Sequence, residues 1–82
     1  MGKYQQEWKL MLQKEEAFKD WKIRSSGGDL LIRVPEDTDM DVLKMQFSDL
    51  IGPLAALIKS PKTSLKFYVG TTTEADFIFT LN

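Results

Sequence analysis

Two matched arms around a Gly-Gly pair constrain the fold of this chain more than any other feature. Residues 21–34 read WKIRSSGGDLLIRV, and folding them at Gly27-Gly28 places Ile23 opposite Ile32. One face of the folded stretch is then apolar and the other basic, and Gly-Gly supplies the positive φ that a two-residue hairpin loop needs. The stretch predicts a β-hairpin with one buried face and one exposed face.

An amphipathic helix is predicted ahead of the hairpin, from about Lys3 to Asp20. Helical spacing relates the side chains of Tyr4, Trp8, Met11, Leu12, Glu15 and Phe18, and all of them except Glu15 are apolar. Nothing caps the end of this helix. We therefore expect it to continue until the spacing of apolar residues changes from the helical period of 3.6 to the strand period of 2 near Trp21.

A second helix is predicted after the hairpin. Four acids within residues 36–41 suit the positive end of a helix dipole, with Thr38 or Asp37 as the candidate N-cap. An apolar stripe follows over residues 43–58. Gly52-Pro53 interrupts it, and because proline removes a backbone hydrogen bond and crowds the preceding turn, we expect a kink or two separate helices.

The C-terminal part returns to strand patterns. Leu65, Phe67 and Val69 alternate with polar residues, and the stretch 77–81 alternates again. Thr71-x-x-Glu74 could instead cap a short C-terminal helix.

The whole pattern predicts one α+β domain over residues 1–82, in the order α-β-β-α-β(-β). If the strands at 30–34 and 65–69 run parallel, two helices pack on one face of a small mixed sheet, the second of them kinked at Gly52-Pro53.

Composition excludes several classes of function. Of 82 residues, 43% are hydrophobic and 28% charged, as in folded soluble domains, and the net charge of -1 provides no overall attraction for nucleic acid or anionic membranes. The chain has no Cys and no His, which removes thiol chemistry, the commonest general base and the commonest zinc ligand. No apolar run approaches the roughly 20 residues of a membrane span. We expect a cytoplasmic, non-enzymatic protein with no catalytic residues, no metal, no cofactor and no membrane association.

One acidic motif resembles the start of a calcium loop. It consists of Asp37, Asp39 and Asp41 at alternate positions, but the Gly and Glu that such a loop needs at its sixth and twelfth positions are Val42 and Ser48. We interpret the acids as a helix N-terminus.

A basic strip is the candidate nucleic-acid site. Lys22, Arg24 and Arg33 share the outward face of the hairpin, and Lys66 and Tyr68 extend it across the sheet. Cations that follow a phosphate backbone and a ring that stacks on bases suit single-stranded nucleic acid. A solvated sheet face is the alternative interpretation.

The candidate protein interface consists of Tyr4, Met11, Met40 and Met45. We expect the first two to lie on an overhanging helix N-terminus, and methionine suits adaptable contacts. Our first hypothesis is therefore a protein–protein interaction module. Single-stranded nucleic-acid binding and a small structural subunit of an assembly are the alternatives, and an open sheet edge also allows a homodimer.

The order of motifs resembles the N-terminal domain of the bacterial replication initiator DnaA. The shared features are Trp8 in the first helix, Phe18-Lys19-Asp20-Trp21, a strand that ends at Val34-Pro35, and the closing strand 65–69. The C-terminal domain of the clamp-loader tau subunit is similar in pattern. The resemblance covers most of residues 8–69 and implies a shared fold and a protein-docking module in replication, an accessory or viral factor on a larger machine. The family has two helices before the hairpin, whereas this spacing leaves room for one.

Overall fold

The computed structural model describes residues 3–58 and 64–81. Within them the chain forms α1 (Lys3–Lys14), the short 3-10 helix η1 (Glu16–Phe18), β1 (Lys22–Ser26), β2 (Asp29–Arg33), α2 (Met40–Ala55), β3 (Leu65–Gly70) and β4 (Phe77–Leu81). The order confirms the predicted α+β class and includes the final strand.

The strands form one mixed sheet in the order β1-β2-β3-β4. β1 and β2 are antiparallel with Ile23 opposite Ile32, as the hairpin pattern predicts, and Gly27 has a φ of 57° at the turn. β2 and β3 run parallel. β3 and β4 are antiparallel, with Phe67 opposite Phe79. β1 and β4 are therefore the two edges of the sheet.

Both helices pack on one face of this sheet, as predicted. Trp8 of α1 and Phe47 of α2 are fully buried, and each meets Phe67 edge to face, with ring centroids 5.3 and 5.8 Å apart. Phe47 also lies 5.6 Å from Phe77 and 5.2 Å from Phe79. Because Phe67 contacts an aromatic ring from each helix, β3 lies at the centre of the core.

The predicted continuation of the first helix to Asp20 is wrong. α1 ends at Lys14, Glu15 has an extended backbone (φ −72°, ψ 122°), and η1 follows. A continued helix would place the Glu15 carboxylate on the packed face, where a charge is costly. The break leaves Glu15 exposed and turns Phe18 into the core, where it stacks on Trp21 at 4.2 Å.

The second helix begins later than its predicted caps. Asp39 is the N-cap, and its Oδ1 accepts hydrogen bonds from the backbone N–H groups of Asp41 and Val42 at 3.1 and 3.2 Å. The predictions of Asp37 or Thr38 as the cap are wrong, because Glu36 and Asp37 form a turn and the Thr38 N–H donates to the Pro35 carbonyl at 3.0 Å, so the helix begins after Asp39.

α2 is one helix that runs through Gly52-Pro53 and ends at Ala55. The alternative of two helices is wrong. Pro53 lies near the C-terminal end of α2, so its missing N–H removes a single hydrogen bond, that to the Asp49 carbonyl, and the helix continues for only two more residues.

Candidate binding face

Among the residues that the structure describes, no helix covers the side of the sheet opposite α1 and α2. Strand alternation and register direct ten side chains to this side, and we call them the open face: Lys22, Arg24, Ser26, Asp29, Leu31, Arg33, Lys66, Tyr68, Ile78 and Thr80. Four of these ten are cations and one is a carboxylate. The chain as a whole carries 11 basic and 12 acidic residues, so the open face is far more positive than the net charge suggests.

An apolar row crosses the open face. The strand register aligns Arg24, Leu31, Tyr68 and Ile78 side by side across all four strands. Leu31 is 37% exposed and Ile78 is 55% exposed, while Tyr68 between them is half-buried. Leu31, Tyr68 and Ile78 thus present neighbouring apolar surface to solvent, and charged side chains surround it. Our sequence reasoning missed Ile78, although the alternation in residues 77–81 places it on this face.

A groove of about 150 Å³ lies beside this row, and we call it the first groove. Its open-face residues are Lys22, Arg24, Leu31, Arg33 and Tyr68, and Thr72, Thr73 and Ala75 supply its other wall. The structure therefore brings together four of the five predicted nucleic-acid residues. Lys66 lies outside the first groove, and its backbone N–H donates to Asp29 Oδ1 at 3.2 Å.

The far wall of the first groove is a loop made of residues 71–76. The backbone N–H of Asp76 donates to the Val69 carbonyl at 2.8 Å, and that of Thr71 donates to Asp76 Oδ2 at 3.4 Å. Glu74 N–H donates to Thr72 Oγ1 at 3.3 Å. These residues form bends rather than a helix, so the capping-box alternative for Thr71 to Glu74 is wrong.

Gly70 allows this loop to lie against the sheet. Gly70 is opposite Arg33 in the register and has no side chain to fill the outward position. A Cβ at residue 70 would overlap the Glu74 carbonyl oxygen and would lie 3.0 Å from the Asp76 nitrogen. The shape of the first groove therefore depends on this glycine, which in the sequence reads only as part of a turn.

A second groove, of about 280 Å³, adjoins the first. It is lined by Asp20, Lys22, Arg33, Val34, Pro35, Glu36 and Thr71. Lys22 and Arg33 line both grooves, so they stand at the junction. The first groove is cationic, whereas the second also has the carboxylates of Asp20 and Glu36.

The candidate interface residues do not form one exposed patch. Tyr4 is 7% exposed, so the prediction that it lies on an overhanging helix end is wrong: the first turn of α1 already packs on the core. Met11 and Met40 are half-buried against the core. Met45 is 81% exposed on α2. A binding role for these residues stays a prediction.

Comparison with protein-family models, with curated proteins and with solved structures finds no match to this chain. Within residues 3–58 and 64–81, no helix has the length and apolar character needed to cross a membrane. The cytoplasmic location and the homodimer stay predictions, and the edges that a homodimer could use are β1 and β4.

Proposed function

We propose that this chain is a non-enzymatic protein-interaction module that binds its partner through the open face. The observation that carries the proposal is the apolar row of Leu31, Tyr68 and Ile78 on the solvent side of the sheet. Contiguous apolar surface rimmed by polar groups is typical of interaction sites. Aromatic residues and arginine are enriched at such sites, and the row has Tyr68 with Arg24 at its end.

The charge of the two grooves favours a protein partner. Cations line the first groove, and the second adds Asp20 and Glu36. A protein segment can present charges of both signs to such a surface, whereas the charges of a nucleic acid are all negative phosphates. The resemblance to the DnaA domain supports the proposal that the partner belongs to a larger assembly, such as the replication apparatus.

Selection from a peptide-display library tests the proposal. The full chain is used as bait beside Leu31→Glu, which places a charge in the apolar row, and Met45→Glu, which places the same charge on exposed α2 surface. We expect peptides enriched on the unsubstituted chain to bind the Met45→Glu variant equally well and not to bind the Leu31→Glu variant. Circular dichroism should show that both variants are folded. Peptides lost only on Met45→Glu would move the interface to α2, and no enrichment at all would refute the proposal.

Single-stranded nucleic-acid binding is the second candidate. The observation that favours it is the meeting of Lys22, Arg24, Arg33 and Tyr68 around one groove. It predicts that a fluorescent single-stranded oligonucleotide binds at about 50 mM salt, weakens steeply as salt rises, and binds less tightly to Arg24→Ala. Unchanged fluorescence anisotropy at low salt would exclude it.

A further inference from the structure

We propose that the occupant of the two grooves is an extended protein segment that carries an acidic side chain, an apolar side chain and a basic side chain in close succession. The inference rests on the proposed function and specifies the partner's chemistry. Each of the three positions follows from a different part of the surface.

The acidic position follows from the first groove. Lys22, Arg24 and Arg33 contribute their side chains to it, and its lining among the described residues includes no carboxylate. A carboxylate suits a groove lined by two arginines because the planar donors of a guanidinium group bind carboxylate oxygens in pairs. Arg24 lies opposite Leu31 on the adjacent antiparallel strand, and Arg33 lies two residues from Leu31 on the same face of β2.

The apolar position follows from Leu31 and Tyr68, which form the floor of the same groove. Its volume of about 150 Å³ lies below the roughly 300–1,000 Å³ of most small-molecule sites. The groove is therefore too small for a separate cofactor-sized ligand and suits a short part of a longer segment.

The basic position follows from the second groove. Asp20 and Glu36 line it beyond the junction formed by Lys22 and Arg33. Both carboxylates belong to exposed residues, and they suit a lysine or arginine of the segment. A uniformly anionic strand that followed the grooves past the junction would instead meet two like charges, which opposes nucleic acid as the occupant of both.

Charge-reversal variants in the same peptide-display selection test this inference. Arg24 lines only the first groove and Glu36 only the second, so Arg24→Glu and Glu36→Lys alter one groove each. We expect peptides selected on the unsubstituted chain to combine acidic and basic residues. They should bind each variant roughly fivefold more weakly, the upper range for an exposed ion pair. Lys44→Glu reverses a charge on the exposed surface of α2, away from the open face and both grooves, and should leave their affinity unchanged.

The outcomes separate the inference from the proposed function. Peptides that require Leu31 but show no charge preference would overturn the inference and leave the protein-binding proposal standing. Equal weakening by Lys44→Glu would also overturn the inference, because the effect would then be one of general charge. Absence of Leu31-dependent peptides, together with salt-dependent oligonucleotide binding, would overturn both.

Discussion

The side-chain amide of Gln5 joins α1 to the turn of the hairpin at Gly27. Gln5 Nε2 donates to the Gly27 carbonyl oxygen at 3.1 Å and also to the Asp29 carbonyl oxygen. Gln5 is 3% exposed, the one buried polar residue among those that the structure describes. A single polar side chain within an apolar helix face thus binds both ends of the turn and fixes the position of the hairpin against the helix.

We expect Gln5→Ala to lower the free energy of unfolding by about 1–2 kcal/mol, because two turn carbonyls lose their donor and the buried amide leaves a gap. Urea denaturation measures the change. Gln6→Ala is the matched control, since Gln6 is exposed on the same helix, and it should change the value by less than about 0.5 kcal/mol. Equal effects would contradict a special role for Gln5.

Phe47→Ala should be far more destabilising. Phe47 is fully buried and its ring contacts Phe67, Phe77 and Phe79. Truncation of such a ring costs about 3–5 kcal/mol, a large part of the stability of a domain this small. Met45→Ala, two residues earlier and 81% exposed, should shift the urea midpoint little. A midpoint for Phe47→Ala near that of the unsubstituted chain would contradict the packing of α2 on the sheet.

Removal of the α2 cap should distinguish two neighbouring aspartates. Asp39→Ala loses the hydrogen bonds to the N–H groups of Asp41 and Val42, so we expect a loss of about 1 kcal/mol and a lower Tm. Asp37→Ala removes an equal charge from a residue outside the helix and should change the Tm much less. The reverse order of the two Tm values would support the cap predicted from the sequence.

Two glycine-to-alanine substitutions should act in opposite directions. Gly70→Ala places a Cβ against the Glu74 carbonyl, so we expect about 1–3 kcal/mol of destabilisation and a displaced loop. Gly28→Ala puts a Cβ into open space at a turn residue whose φ is not positive, and it should stabilise by about 0.4–1 kcal/mol because it restricts the unfolded chain. Thermal unfolding gives both signs, and amide chemical shifts of residues 71–76 report the loop. Unchanged loop shifts in Gly70→Ala would contradict the close approach.

Much of the fold could be predicted from local pattern. Apolar residues that alternate on both sides of Gly27-Gly28 predict the hairpin register, and apolar residues with a period of 3.6 predict both helices. Both patterns can be read from the sequence because they concern neighbours along the chain. The end of α1 could not be predicted in this way. Apolar spacing continues through Phe18, and only the cost of burying Glu15 in the assembled core explains the break.

The same limit applies to the candidate site. Asp37 and Asp39 are equally suitable N-caps by residue type and local sequence, and the turn ahead of α2 decides between them. Tyr4 reads as an exposed helix end, and its burial depends on how far α1 extends over the sheet. The basic hairpin residues were predictable as one face, but the groove that they share with Tyr68 was not.

The sequence by itself determined that the hairpin has an apolar face and a basic face, because side chains alternate along a strand. Only the tertiary structure decided what lies beside that basic face. The parallel pairing of β2 with β3 puts Tyr68 next to Leu31, and β4 adds Ile78. This non-local register accompanies the packing of Phe67 between Trp8 and Phe47, a set of contacts that no local pattern specifies. The loop over Gly70 then forms the far wall of the first groove.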